Sequence, residues 1–413
     1  PFILFKMGSM GNVLTYEPKV QFTPELDDTI QRVRYDFEYT KAELLRERFT
    51  QTYLDWCKGL NVKSRAQAYG RGFFPLESIL DYDIPECESW TMTWLRHRLG
   101  EEMSEEDYRR GRAYTMVNKY VSSAAHLRGK RLVSCEEMTN TYTVFNMTLE
   151  LLKIGGDQTA ISGVTHSIFH GFNYSPKEAP FPGWIRYGAY YNENNNWWPY
   201  FKYYTAYKGR MASALQHGTM YADIAILHPI ADMWSTLGMQ NEPFPATTNV
   251  KYKTLVWEAI HKNGSGCDYV SESIIRDAEM KDGYLCYGPR KYKTLFLIEV
   301  ESMEPASGGR IFCIEAYPHK SVGLKDHDKH DKEVQEWVAK MKQMDGRFIL
   351  LHKPEKDFVG WYQGVQKDYG LTPYMTIEKP DPYLMQNRYQ GDNKEEMFFF
   401  SYAHRYNSHQ TRI

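Results

Sequence analysis

The sequence lacks an excess of charge of either sign: 50 Lys and Arg against 52 Asp and Glu leave a formal net charge of -2 over 413 residues. A chain this near neutrality, with a pI of about 6.7, has no global field to gather nucleic acid or an anionic membrane, so a neutral partner is expected. No run reaches about 18 apolar residues, which excludes a transmembrane helix. The six cysteines (Cys57, Cys87, Cys135, Cys267, Cys286 and Cys313) form no CxxC pair and no His-Cys cluster, which argues against zinc and thioredoxin-type chemistry; most read as buried thiols. There is no glycine-rich phosphate loop, no GxSxG elbow and no HExxH, so nucleotide, esterase and zincin chemistry have no support. Nor does the chain, opening on Pro1, carry the n-region and h-region of a leader. That fits a cytosolic protein or one whose export signal is absent from this chain, and a periplasmic or secreted setting is the expectation.

What is abundant is aromatic: 15% of residues, with 32 Tyr and 10 Trp, many beside Gly, Asn and Pro. Flat faces with a polar edge suit neutral polyhydroxylated ligands, whose C–H faces stack while their hydroxyls find hydrogen-bond partners. An ordinary aromatic core accounts for the same composition.

Along the chain, strand and helix patterns alternate through the first 230 residues, which favours parallel βα units. Glu17 ends an extended segment, because Pro18 disfavours helix before it; a solvated surface Glu is the plainer reading. Apolar residues at Ile30, Val33, Phe37, Leu44, Leu45, Phe49, Tyr53 and Trp56 predict a long amphipathic helix that Gly59 ends. Residues 62–70, VKSRAQAYG, read as a strand with Arg65, Gln67 and Tyr69 on one face, needing either a ligand or an internal polar network. Residues 84–90, IPECESW, put Glu86 and Glu88 on one side of an extended segment, to hold a cation or sugar hydroxyls, or simply as a charged loop.

The stretch 131–182 organises the rest. An apolar run ends on Glu136 and Glu137; a helix follows over 144–154, closed by Gly155-Gly156; a second strand, 163–170, carries His166, Ile168 and His170 on one face and is followed by Asn173. In an α/β barrel reactive side chains sit at the C-terminal ends of strands, so carboxylates there have the form of an active-site rim. Residues 172–199 make a long loop, with Trp184, Trp197 and Trp198 available as a pocket wall. About five strands are countable where a closed barrel needs eight, so strands hide in irregular segments or the chain lacks the start of its barrel. Composition shifts after Pro245, where a second, smaller α/β domain is expected. Between Val300 and Arg310 the chain is too short for a crossover helix, which predicts a hairpin or a missing segment. A β-rich tail begins at MFFFSY, 397–402, without an obvious partner. The expected division is 1–245, 246–370 and 371–413.

Glycoside hydrolysis needs two carboxylates, one protonated to assist the leaving oxygen and one ionised. Glu17, Glu86, Glu88, Glu136 and Glu137 supply them, though this selects the chemistry only weakly. Adjacent strand residues point to opposite faces, so one member of the Glu136-Glu137 doublet can face a pocket.

The motifs RAQAYG, DIPECESW, SSAAHLRGKRLVSCEEMTNT, LLKIGGDQTAISGVTHSIFHGFNYSP, FPGW, NNNWWP and YADIAILHP, in this order over about residues 60–230, resemble glycoside hydrolase family 106, the α-L-rhamnosidases. The following blocks, VWEAIHKNGSGCDYVSE, YKTLFLIEVES and IEAYPHKS, resemble the domain after that family's barrel. The resemblance implies a (β/α)8 TIM-type barrel followed by a smaller flavodoxin-like α/β domain and a β-rich segment, an inverting mechanism, and a calcium ion that helps bind the sugar. It gives Glu136, in Ser134-Cys135-Glu136, the role of general base, with Glu137 as runner-up, and matches the acid motif at Glu17, where the family's Asp and Ser are lost. Glu86 and Glu88 are the metal candidates; Arg65, Gln67, Tyr69, His166, His170, Asn173, Trp184, Trp197 and Trp198 are candidates for holding the carbohydrate. A catalytically inactive glycan-binding relative, or a glycosidase for another sugar such as a β-galactoside, are the rival readings.

Overall fold

The computed structural model describes residues 23–70, 73–90, 115–139, 145, 147–172, 174–181, 183–184, 188–238, 253–303 and 310–402. Glu17, Asn173, the charged connection at 101–113 and the end of the tail lie outside them.

The first helix, α1 (Pro24–Leu44), begins where Thr23 accepts a hydrogen bond from Leu26 N, with Pro24 at its first position and Glu25 and Asp27 in its first turn, all favourable at a helix N-terminus. It runs through a π-helical stretch, Leu45–Thr50, into α2 (Gln51–Gly59). Then come β1 (Arg65–Ala66), β2 (Ile84–Trp90), α3 (Thr115–Leu127), β3 (Ser134–Thr139), α4 (Leu149–Ile161), β4 (His166–Phe169) and α5 (Trp198–His217). Strands β1 to β4 form one parallel sheet in chain order.

After β5 (Gly218–Met220) come β6 (Ile224–Leu227), α6 (Ile230–Leu237), α7 (Lys253–Lys262), β7 (Cys267–Val270) and α8 (Glu272–Asp277). A three-stranded antiparallel sheet, β8 (Glu279–Lys281), β9 (Tyr284–Tyr287) and β10 (Arg290–Tyr292), precedes β11 (Thr294–Ile298) and β12 (Arg310–Ile314). The chain continues through α9 (His327–Lys342), β13 (Phe348–Leu351), α10 (Phe358–Tyr369), β14 (Leu384–Gly391) and β15 (Glu396–Tyr402). A second parallel sheet has the order β13-β12-β11-β6-β7, and β15, β14 and β5 form an antiparallel one.

Four expectations change here. The composition break at Pro245 does not separate the two parallel sheets, because β6, before it, lies in the middle of the second sheet. Strands β11 and β12 pair in parallel, Thr294 opposite Arg310, so a hairpin is excluded. The tail has a partner after all, since β15 pairs with β14 and β14 with β5.

Fourth, Gly155 and Gly156 do not close a helix but sit inside α4. A Cβ on Gly156 would come within 2.4 Å of the Tyr204 hydroxyl, and one on Gly155 within 2.4 Å of Met138 Cε. These glycines let α4 approach β3 and α5 closely, which offsets their cost of roughly 1 kcal/mol each in a helix interior.

Helix α3 packs against both sheets. It covers β2 on one side and β7 on the other, with Tyr120 4.3 Å from Tyr269, ring to ring. The apolar core is therefore continuous from Cys87 and Cys135 in the first sheet to Phe296 and Phe312 in the second. Through it runs one buried charge cluster: Asp268 of β7 meets His126 Nδ1 at 2.8 Å and Arg290 Nη2 at 2.5 Å, and Tyr292 donates to it at 3.1 Å. Burial alone would raise the Asp268 carboxyl, but Arg290, His126 and Lys119 hold it well below the usual range, as a paired buried charge requires. No described helix is long and apolar enough to cross a membrane.

Candidate active site

Alternation along the first sheet sorts its side chains onto two faces. Cys87 and Cys135 point to the side covered by α3 and are fully buried. Glu86 opposes Ser134, and Glu88 opposes Glu136, on the other side.

On that face the residues form a connected network. Gln67 Nε2 donates to Glu136 Oε2 at 2.9 Å and stands 3.3 Å from Glu86 Oε1. Glu86 Oε2 accepts from Ser134 Oγ at 2.6 Å and lies 3.2 Å from Arg65 Nε. The Tyr69 hydroxyl donates to Gln67 Oε1 at 3.4 Å, and burial, then the neighbouring Glu88, keeps that phenol protonated well above its usual range. His170 Nδ1 lies 3.2 Å from Glu136 Oε1 and 2.8 Å from Thr139 Oγ1. The His170–Gly171 peptide is cis. Glu136 and His170 retain 31% and 36% side-chain exposure, so a small molecule can reach them.

Glu88 differs from its neighbours. Its Oε2 accepts from Trp90 Nε1 at 2.9 Å. Burial pushes its carboxyl up to about 7; the Trp90 bond opposes this and the Glu136 charge adds to it. The face thus carries two carboxylates held by donors, Glu86 and Glu136, and, across the ladder from Glu136, one that keeps its proton to a higher pH than an ordinary carboxyl. Such a division between neighbouring carboxyl groups belongs to acid–base chemistry.

Glu137 is turned to the helix side, fully buried, with Lys208 Nζ at 3.0 Å. It therefore lies away from the pocket face. Trp197 is not a pocket wall: it is buried in a cluster with Tyr191 and Phe201 and donates to Met147 O at 2.7 Å. That indole belongs to a core cluster that also holds Met138 and Leu152. Trp198 is half-buried, stacked 5.5 Å from Phe201 and tilted against Phe172 at 6.0 Å, whereas Trp184 is exposed. His166 is exposed at the first residue of β4, opposite Ser134, a strand length from His170.

Calcium requires six to eight oxygen ligands. Among the described residues no three His, Cys, Asp or Glu gather to hold a metal ion, and Glu86 already faces a guanidinium at 3.2 Å.

Trp90 and Thr139 complete the site and were not anticipated. Trp90 was within reach, since the alternation that pairs Glu86 with Glu88 puts it on the same face. Thr139 was not: Met138, with φ of 63°, breaks the alternation just before it.

Comparison with known proteins gives the chemistry a context. A family model described as alpha-L-rhamnosidase, glycoside hydrolase family 106, matches residues 22–307. A "Putative beta-glucuronidase" of Formosa agariphila is 24% identical over 399 residues, covering 94% of this chain and 29% of that protein. Among solved structures, a rhamnosidase from Novosphingobium sp. PP1Y superposes with a TM-score of 0.65 at 18% identity, covering 90% of this chain and 34% of that one. A β-galactosidase from Rahnella sp. R3 gives a TM-score of 0.62 at 10% identity over 94% of this chain and 65% of that one. The chain thus spans less than a third of the curated relative and about a third of the rhamnosidase, and at these identities the structural likeness speaks to fold alone.

Proposed function

Because the chain belongs to the α-L-rhamnosidase family of glycoside hydrolases, family 106, we propose that it removes terminal α-L-rhamnose from a glycan or glycoside with inversion at the anomeric carbon. One observation carries this reading: Glu136, midway along β3 rather than at the strand end the sequence suggested, is gripped on Oε2 by Gln67 while Oε1 lies beside His170. A carboxylate so held, with an exposed edge, is placed to take a proton from water.

The first sheet is read as part of a (β/α)8 barrel, with parallel strands in chain order, helices on one face and a polar face opposite. The second, with its strands in the order 2-1-3-4-5 along the chain, is read as flavodoxin-like. The proton donor is assigned to Glu17 from the family pattern. Glu88 is a poorer donor, because neighbouring strands lie about 4.8 Å apart and an inverting pair needs roughly 6.5–9.5 Å to admit water. As a neutral acid, Glu88 instead suits donation to a sugar hydroxyl.

Glu136→Gln should lower kcat on an aryl α-L-rhamnoside by about 10³-fold or more, with the folded structure retained; undiminished turnover removes Glu136 from the mechanism. Proton NMR of the first-formed sugar should show the inverted anomer. An aryl β-glucuronide is the competing substrate, prompted by the Formosa relative. Its hydrolysis in place of the rhamnoside would reassign the sugar while leaving the carboxylate roles intact.

A further inference from the structure

We propose that Gln67 is a positioning residue for Glu136, selecting which of its oxygens acts as the base, rather than a group that grips the sugar; this rests on the reading of Glu136 as general base. The amide nitrogen lies between two carboxylates, 2.9 Å from Glu136 Oε2 and 3.3 Å from Glu86 Oε1. Turned the other way, the amide would set its oxygen against two anionic oxygens and lose both bonds, so the orientation is dictated by the network. Its oxygen, in turn, receives the Tyr69 hydroxyl at 3.4 Å. Both ends of Gln67 are thereby engaged by protein.

Glu86 supports this rather than competing with it. It is buried, with Ser134 Oγ at 2.6 Å and Arg65 Nε at 3.2 Å, so its charge is answered and it serves as a fixed anchor for the second N–H of Gln67. The line of donors runs from Arg65 and Ser134 to Glu86, and from Gln67 to both Glu86 and Glu136. On Glu136 the amide occupies Oε2 and leaves Oε1 at the His170 edge, so Oε1 is the oxygen assigned to take the proton from water. A carboxylate free to rotate would present the wrong edge for part of the time, and small misplacements of a reacting group are costly.

Steady-state kinetics on an aryl α-L-rhamnoside separate the possibilities. Gln67→Met keeps the length and removes the donors, and should lower kcat about 10²-fold with KM within about twofold. Gln67→Glu, which sets a carboxylate against Glu136 and Glu86, should lower kcat about tenfold further at the same pH. Tyr69→Phe frees the amide oxygen and should lower kcat severalfold, again with KM unchanged; it also decides the matter if neither Gln67 variant folds, as judged by circular dichroism and the thermal midpoint. A raised KM with kcat intact would mean that Gln67 holds the sugar and would overturn the proposal, as would unchanged kinetics in all folded variants. Glu136→Gln is measured alongside. If that variant stays active, the reading of Glu136 itself has failed; if it is inactive while the Gln67 and Tyr69 variants keep a normal kcat, only the positioning role has.

Discussion

The two parallel sheets are built alike and filled differently. In the second, every residue of β6, β7 and β11 is buried, and the strands read as near-continuous apolar runs, IAIL and TLFLI, as expected where helices cover both faces. In the first, only one face is apolar; the other carries Glu86, Glu88, Ser134 and Glu136 in adjoining strands. Four polar groups on one sheet face are tolerated because each has a partner, and two of them stay partly open. The second sheet is buried throughout these three strands, and the first keeps a partnered, partly open polar face.

Substitutions should divide along that line. The largest effect on folding is expected from Phe296→Ala in β11, whose ring is fully buried and stacked 4.9 Å from Phe312. Urea unfolding should show a loss of about 3–5 kcal/mol, with kcat of the folded fraction unchanged. Lys208→Met strands the buried Glu137 carboxylate on the helix side of the first sheet and should cost about 3 kcal/mol; a loss below about 1 kcal/mol would show that the pair is not what tolerates Glu137 there.

Glu88 gives a pH-dependent case. Its carboxyl is pushed from 4.5 up to about 7, mainly by burial, so the folded state favours the neutral acid. That preference costs nothing below the unfolded value, and stability is lost as pH rises from 4.5 through about 7. Glu88→Gln should match the wild type in stability at pH 4 and exceed it by about 2 kcal/mol at pH 8, allowing for its partial exposure. Equal stability at both pH values would mean that burial does not control this group. Smallest of all should be the stability change in Glu136→Gln, within about 0.5 kcal/mol, although the same variant should lose its turnover. A large destabilisation there would blur the contrast between the sheets.

Much of the first sheet was legible because the strand period is two. That period put Glu136 and Glu137 on opposite faces; Gln67 and Tyr69 also meet, although the strand expected over 62–70 is confined to Arg65–Ala66 and both lie beyond it. It does not say which neighbour a polar side chain will choose: Arg65 and Gln67 are taken up by Glu86 and Glu136, contacts that cross 19 to 69 residues of chain. Glycine was misread for a related reason. The pair at 155–156 carries the same letters as a helix stop, and only the nearness of Tyr204 and Met138 distinguishes close approach from termination. Trp197 shows the same limit, since an indole in an irregular segment reads alike whether the loop faces solvent or folds back. Sheet membership of β6 was hidden because an apolar four-residue strand suits either sheet equally well.

The antiparallel sheet of β5, β14 and β15 has a consequence for synthesis. Strand β14 and the turn after it join the chain to much earlier segments: Asn387 Nδ2 donates to Ile161 O at 2.9 Å across 226 residues, and Arg131 pairs with Asp392 across 261. Such distant contacts form late and slowly, because a long loop must close before they contribute. On the ribosome, where chains emerge at roughly 5–20 residues per second, the segment around Gly218–Met220 waits many seconds for its neighbour. Until then its ladder edge is an open template for another chain, and crowding, temperature and translation rate should govern how much of the protein reaches the native state.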